Sequence, residues 1–356
     1  MVDKMKIAST TLTGNSAGVI ADALRSVVDW VDYCLVIDTG VTDDSLDIAR
    51  SVAGNKYVSR SFAWIQDFAA ARNFALDAAA ELGADWAITV DTDERIDRRG
   101  IDLRAVMAST TAGVLMMPSS DGTYAKERCF RLPAGQRFSG PTHESFPAYA
   151  VGSITIEGAC FHELGKSPEA LRRKFERDLQ ILQRHVRAHP RDPRWQFYLG
   201  ETLKNLGRTA EAVVAYDACA ALRGWNEESA WACYRAAECL SKLQRFRDAI
   251  DRCATGLARH AGIAELAWLA GFCAYQLGDF AQAVYWSRIA VTQGLYLGTG
   301  AAVPRIGFRN LDALYEGPFD VLRFALLKQG DVAGASAAEA DYARAREARL
   351  ARSGGT

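Results

Sequence analysis

Apolar positions along this chain follow two different patterns, and the change comes near residue 165. Before it, short runs of aliphatic and β-branched residues alternate with longer helical stretches. Residues 6–10 predict a strand and residues 17–31 a helix. Residues 33–37 (Tyr-Cys-Leu-Val-Ile) are apolar without a break, as expected of a strand covered on both faces. A helix follows over 43–52 with Thr42 or Asp43 as its cap, then a short strand over 56–59. Residues 69–82 form an alanine-rich helix that ends at Gly83, and 86–90 (Trp-Ala-Ile-Thr-Val) are a second buried strand. Strand and helix alternating at this spacing imply an α/β domain with a mainly parallel sheet. Ligands of such sheets bind at the carboxyl ends of the strands, where Asp38 and the run Asp91-Thr92-Asp93-Glu94 fall.

From Pro168 onward strand signals vanish, and alanine, leucine, arginine and aromatic residues dominate. Three segments superimpose: Leu199-Gly200 with Leu206-Gly207 and Ala212, Ala236-Ala237 with Leu243-Gln244 and Ala249, and Ala270-Gly271 with Leu277-Gly278 and Ala283. The steps are 37 and 34 residues, with small residues where helices must approach and a turn residue between them. This resembles the tetratricopeptide repeat, whose period is about 34 residues. A weaker fourth copy runs from Pro318 to Ala335, and the charged tail from Ala337 predicts a capping helix. The expected organisation is an α/β domain over 1–165, a linking helix over 166–193 and a repeat domain over 194–352.

Composition narrows the function classes. The 42 basic and 43 acidic residues nearly cancel, which argues against a general affinity for nucleic acid or anionic membrane. No apolar run approaches the roughly 18 residues of a membrane span. The opening Met-Val-Asp-Lys-Met-Lys lacks a secretory pattern, so a cytoplasmic protein is expected. Of eight cysteines, five (Cys219, Cys233, Cys239, Cys253, Cys273) lie in the helical half, and no CxxC pair occurs. Buried thiols between helices are therefore expected in preference to a zinc cluster.

Asp91-Thr92-Asp93, directly after a buried strand, is the sharpest chemical feature. In an extended chain residues two apart share a face, so both carboxylates can reach one divalent cation. Mg²⁺ or Mn²⁺ favours such oxygen ligands and can share them with a diphosphate.

Two further segments accompany this one in order: Asp38-Thr39-Gly40-Val41-Thr42-Asp43 after the earlier strand, and Trp64-Ile-Gln-Asp67-Phe-Ala-Ala-Ala-Arg72-Asn73 opening a helix. Together they resemble the family 2 glycosyltransferases of GT-A fold, and in particular those with a C-terminal tetratricopeptide array. The resemblance implies a Rossmann-like, mainly parallel sheet followed by an all-α array. It implies that Asp38 contacts the nucleoside of the donor and that Thr10, ending the first strand, packs on base and ribose. Asp67 and Arg72 match donor-pocket positions, where arginine's fork of donors suits base or phosphate. Asp91 and Asp93 match the metal-binding pair, and His162, after the stretch 154–161, matches a third metal ligand. Glu144, in the His143-Glu144 pair, corresponds to the acceptor-side base of an inverting transfer; a salt bridge to Arg128 or Arg131 is the structural alternative. The first loop departs from the family: Gly14-Asn15-Ser16 stands where Lys-Asn-Glu is usual.

The implied activity is transfer of a sugar from a nucleotide-diphosphate sugar, a UDP-sugar, with Mn²⁺ or Mg²⁺ as cofactor. The array would recruit a peptide or protein acceptor or mediate homodimerisation. Trp195, Tyr198, Trp225, Trp231, Tyr234 and Trp268 are candidates for its binding face, although aromatics at helical spacing more often pack between helices. Two other classes compete: an inactive interaction scaffold, and a nucleotidyltransferase. The latter calls for a basic phosphate loop, and residues 9–17 hold neither arginine nor lysine.

Overall fold

The structure is a computed structural model, and it describes residues 5–296 and 309–353. It divides into two compact units, 1–170 and 171–356.

The first unit is built on β1 (Ile7–Thr13), β2 (Tyr33–Asp38), β3 (Tyr57–Ser61) and β4 (Trp86–Thr89), with β6 (Val114–Pro118), β7 (Ala125–Arg131) and β8 (Ser153–Thr155) completing one sheet. The strand order is β3-β2-β1-β4-β7-β6-β8. β3, β2, β1 and β4 run parallel, and β7 is antiparallel to both β4 and β6. A separate ribbon pairs β5 (Glu94–Asp97) with β9 (Cys160–Glu163). Helices α1 (Ile20–Arg25), α2 (Ser45–Ala53), α3 (Phe68–Glu81) and α4 (Leu103–Ser109) connect the strands.

Both faces of the sheet are covered, which explains the unbroken apolar runs. Ile7, Cys34, Val36, Trp86 and Ile88 join one core with Leu24 and Ala49, while Ala8, Leu35, Ile37 and Ala87 join another with Ala75 and Ala79 of α3. Three expectations shift. β1 extends to Thr13, so Thr10 is mid-strand and buried, its hydroxyl 3.3 Å from that of Thr89, and does not end the strand. The helix expected over 17–31 is regular only over Ile20–Arg25 and continues as turns to Trp30. The β-branched pair Val27-Val28 and Asp29 are weak helix formers, yet Val27 and Val31 keep the buried period. The third shift is β7, which runs antiparallel between β4 and β6 while β6 and β8 pair parallel, and which simple periodicity did not resolve.

The second unit opens with α5 (Pro168–Ala188) and continues as helix pairs α6 (Pro193–Asn205) with α7 (Thr209–Ala221), α8 (Asn226–Lys242) with α9 (Phe246–Arg259), and α10 (Ala264–Gln276) with α11 (Phe280–Gln293). After the short α12 (Leu311–Leu314), α13 (Gly317–Lys328) pairs with α14 (Val332–Ser353). Each pair turns in the same way. The backbone amides of Arg208, Arg245, Asp279 and Asp331 reach back to the carbonyls of Leu203, Leu240, Ala274 and Leu326. The preceding residues Gly207, Gln244, Gly278 and Gly330 adopt left-handed φ of 75°, 59°, 76° and 83°. These are four Schellman caps, the C-terminal stop that glycine favours.

Small residues set how closely paired helices approach. A Cβ at Gly200 would meet the ring of Tyr216 at 2.6 Å. That ring is fully buried and its hydroxyl donates to Glu201 at 2.6 Å, so it has no room to yield. Trp195, Trp231 and Tyr234 are buried in the helical packing, whereas Trp225 is half exposed. All eight cysteines are free and buried. Gly200→Ala should lower the unfolding free energy by about 1–3 kcal/mol through overpacking, despite alanine's higher helix propensity; a denaturant melt measures it.

Candidate functional site

Parallel strands β1, β2 and β4 deliver their carboxyl ends to one edge, and the chain leaves β4 through Val90 into the acidic run. That run is a turn, not an extended segment: the amide of Glu94 closes on the carbonyl of Asp91 at 2.9 Å. Asp91 and Asp93 therefore do not share a face by strand alternation, and each finds its own cation. Lys166 donates to Asp93. Arg72 grips Asp91 with both terminal nitrogens, at 3.0 and 3.1 Å.

Arg72 is placed by the first turns of α3. Asp67 caps this helix, accepting the amide of Ala70 at 2.9 Å. Beside Arg72, Asn73 exchanges two hydrogen bonds with the backbone of Phe138, at 3.0 and 2.9 Å, and the amide of Phe68 donates to the carbonyl of Pro141. The loop containing Phe138 and Glu144 is thus held onto α3. Beneath it Phe130, Phe138 and Phe146 meet edge to face, and the Arg72 guanidinium lies 5.8 Å from the Phe138 ring centre. The third Arg72 nitrogen, Nε, donates to Glu144 at 2.5 Å. Glu144's partner is therefore Arg72. Arg128 turns to Glu94, and Arg131 to the carbonyl of Thr110.

A second layer supports Asp91. Arg128 stands 3.7 Å from Asp91 and pairs with the fully buried Glu94, which Lys126 also reaches at 3.2 Å. Lys126 continues to Glu163 at 2.6 Å, and Glu163 accepts from the Tyr124 hydroxyl. Burial alone would raise the Asp91 carboxyl, but Arg72 and then Arg128 overcome it and hold the group well below the usual carboxylate range. Glu94 moves the other way: burial first, then repulsion from Asp91, raises it against the pull of Arg128 and Lys126.

The other residues singled out from the sequence take partners outside this cluster. The carboxylate of Asp38 accepts the amides of Gly40 and Val41, each at 2.8 Å, and so shapes its own loop. Asn15 exchanges hydrogen bonds with Thr42 at 2.8 Å in both directions. His162 does not join Asp91 and Asp93; its Nε2 faces Asp97 at 3.5 Å and the Cys160 sulfur at 3.8 Å. The pairing of β5 with β9 explains this, because Arg95 stands opposite His162 and Asp97 opposite Cys160. Sequence reasoning passed over Lys126, Arg128, Lys166 and Glu94 as site residues. The Arg128-Cys-Phe-Arg131 stretch, with a charge at each end, was the signal available for Arg128.

No protein-family model matches the chain. Over 220 residues it is 25% identical to the SPbeta prophage-derived glycosyltransferase SunS of Bacillus subtilis (strain 168), which covers 56% of this chain and 49% of that protein. Over 140 residues it is 34% identical to a TPR repeat-containing protein of Synechococcus elongatus, covering 36% of this chain and 32% of that one. Among solved structures, MamA is 15% identical and covers 52% of this chain and 99% of its own, with a TM-score of 0.40. The chain spans about half the length or less of these curated relatives. It is thus similar to proteins named as glycosyltransferases and to proteins named for tetratricopeptide repeats, and no helix among its described residues is long and apolar enough to cross a membrane.

Arg72→Met should cost about 1–3 kcal/mol in a urea melt near neutral pH, because it leaves two partly buried carboxylates facing each other. The pH dependence should change with it. In the native chain the stability from Asp91 is complete above its unfolded pKa of about 4 and is lost as pH falls towards its depressed folded value. Glu94 acts with opposite sign, losing stability as pH rises from about 4.3 through its raised folded value. Urea melts across a pH series should show the acid-side loss due to Asp91 in the native chain and its reduction in Arg72→Met, where Arg128 remains.

Proposed function

We propose that the chain is a metal-dependent, inverting glycosyltransferase that moves a sugar from a nucleotide-diphosphate sugar, taken to be a UDP-sugar, to an acceptor. In this reading the first unit is a family 2 catalytic domain of GT-A type, and the repeat array recruits a peptide or protein acceptor through its helices. One observation carries the proposal: two carboxylates, Asp91 and Asp93, leave the carboxyl edge of a parallel sheet, and a partly buried bidentate arginine favours the ionised form of Asp91. The similarity to SunS supports the transferase class.

The donor set is that of a hard divalent ion, Mn²⁺ or Mg²⁺, since both side chains are carboxylates, and the ion would replace Lys166 at Asp93 while Arg72 stays on Asp91. Asp91 and Asp93 would hold such an ion, which would supply charge to offset the departing diphosphate. Arg72 keeps Asp91 ionised and oriented, and it holds Glu144 by one carboxylate oxygen beside the same edge. Glu144 takes the acceptor's proton as the acceptor attacks the anomeric carbon. Lys166 yields Asp93 when the donor enters. Asp38 shapes the loop that meets the nucleoside, and Thr10 contributes from within the sheet through its contact with Thr89.

A second reading, the inactive scaffold, has its own observation, because protein cations occupy both carboxylates. One assay separates the two. Purified protein with Mn²⁺ and a panel of nucleotide sugars should hydrolyse one of them slowly, and Asp93→Ala should abolish that turnover. Glu144→Gln should keep donor binding while lowering the transfer rate by about 10²-fold or more. Absence of binding and turnover for every sugar nucleotide, with metal present, would establish the scaffold.

A further inference from the structure

We propose that Asp97, Cys160 and His162 form a binding site for one zinc-type transition-metal ion on the face of the β5–β9 ribbon opposite Lys126, separate from the Asp91–Asp93 pair. In an antiparallel ribbon directly opposed residues share a face, and so do residues two apart. Asp97 opposes Cys160, and Arg95 opposes His162, so these four side chains leave the ribbon on one side. Glu94, Ile96, Phe161 and Glu163 leave on the other, where Glu94 and Glu163 grip Lys126. The ribbon therefore separates two sets of charges.

The spacing of the three ligand atoms suits an ion better than direct hydrogen bonds. His162 Nε2 lies 3.5 Å from Asp97 Oδ2 and 3.8 Å from Cys160 Sγ, and all three atoms fall within 4.8 Å of one another. Metal–ligand bonds of about 2.0–2.3 Å at tetrahedral angles place such atoms about 3.3–3.6 Å apart. A hydrogen-bonded histidine–carboxylate pair closes to about 2.7–3.0 Å. Among the described residues this is the one group of three histidine, cysteine or acidic side chains that converges in this way. Thiolate and imidazole select zinc over magnesium or calcium, and three protein ligands leave a fourth position for water.

The surroundings orient the set. The backbone amide of Arg99 donates to Asp97 Oδ1 at 3.0 Å, which leaves Oδ2 as the oxygen facing His162. The Arg99 side chain is the cation now beside this carboxylate, at 3.6 Å, and with half its surface exposed it has solvent to turn into. Cys160 is buried and contributes its thiolate from within, giving up its proton on ligation. A two-stranded ribbon is marginal on its own. An ion joining Asp97 to Cys160 and His162, about 60 residues further along the chain, would staple it across a long loop.

The test uses the full chain. Protein purified without chelator should retain about one equivalent of zinc by elemental analysis. After zinc removal, added Co²⁺ should give tetrahedral visible bands and a thiolate-to-cobalt charge-transfer band. Cys160→Ser should abolish the charge-transfer band, and His162→Asn, at a half-exposed position that tolerates change, should weaken zinc at least about tenfold with unchanged circular dichroism. An Asp91→Asn/Asp93→Asn variant should keep its zinc, which separates this site from the cation of the proposed transferase. Absence of retained zinc together with no cobalt spectrum would overturn the proposal. So would a charge-transfer band that survives Cys160→Ser, or zinc affinity unaltered in His162→Asn.

Discussion

Burying the Arg72 guanidinium between two acids is the constraint around which the first unit is organised. An arginine cannot shed its charge when it leaves water, so it must find carboxylates, and each carboxylate it finds must be brought by a different element. Asp91 arrives at the end of β4 and Glu144 on the loop that Asn73 clasps to α3. The aromatic trio Phe130, Phe138 and Phe146 closes the underside. The same logic continues one layer deeper, where Arg128 and Lys126 balance Glu94, so the charges behind the edge form one alternating chain. Removing any cation from that chain leaves acids facing acids, which links the fold of this unit to the chemistry at its edge.

Much of this was legible in the sequence, for identifiable reasons. The strands at 33–37 and 86–90 announce themselves because both sheet faces are buried, and α3 does so through its alanine-rich run and its stop at Gly83. Arg72 and Asn73 were visible as a motif, although not which partners they take. Three things were not legible. The turn at Asp91–Glu94 breaks strand alternation, so the shared face expected for Asp91 and Asp93 does not form. β7 reads Ala-Lys-Glu-Arg-Cys-Phe-Arg, mostly polar, because its charges are satisfied by other charges where apolar burial would otherwise mark a strand. The neighbours of His162 depend on the register of β5 against β9, two segments far apart in the chain. Local patterns carry no information about that pairing, and a search confined to CxxC spacing could not see Cys160 beside Asp97.

The second unit was legible to a greater degree because its constraints are local and recurrent. Gly200 against Tyr216, and Gly271 against Ser287 with a would-be Cβ contact of 2.8 Å, mark the places where paired helices touch through backbone. The aromatics that suggested a binding face serve mainly as fill, with the tilted rings of Trp231 and Tyr234 in contact, centres 4.8 Å apart, in the interior. Cys219, Cys233, Cys239, Cys253 and Cys273 belong to the same filling and are free.

The four helix-pair turns carry one more consequence. Three use glycine at the left-handed position and one uses Gln244, with the same pair of backbone hydrogen bonds in each. Left-handed geometry costs a residue with a Cβ about 1–2 kcal/mol, and at Gln244 the neighbouring helices impose it regardless. The repeat is therefore conserved within this molecule as a conformation, with its spelling free to drift. Copies of such a unit can diverge until no letter is shared and still stack, because what each copy inherits from its neighbour is a template for where the backbone must bend.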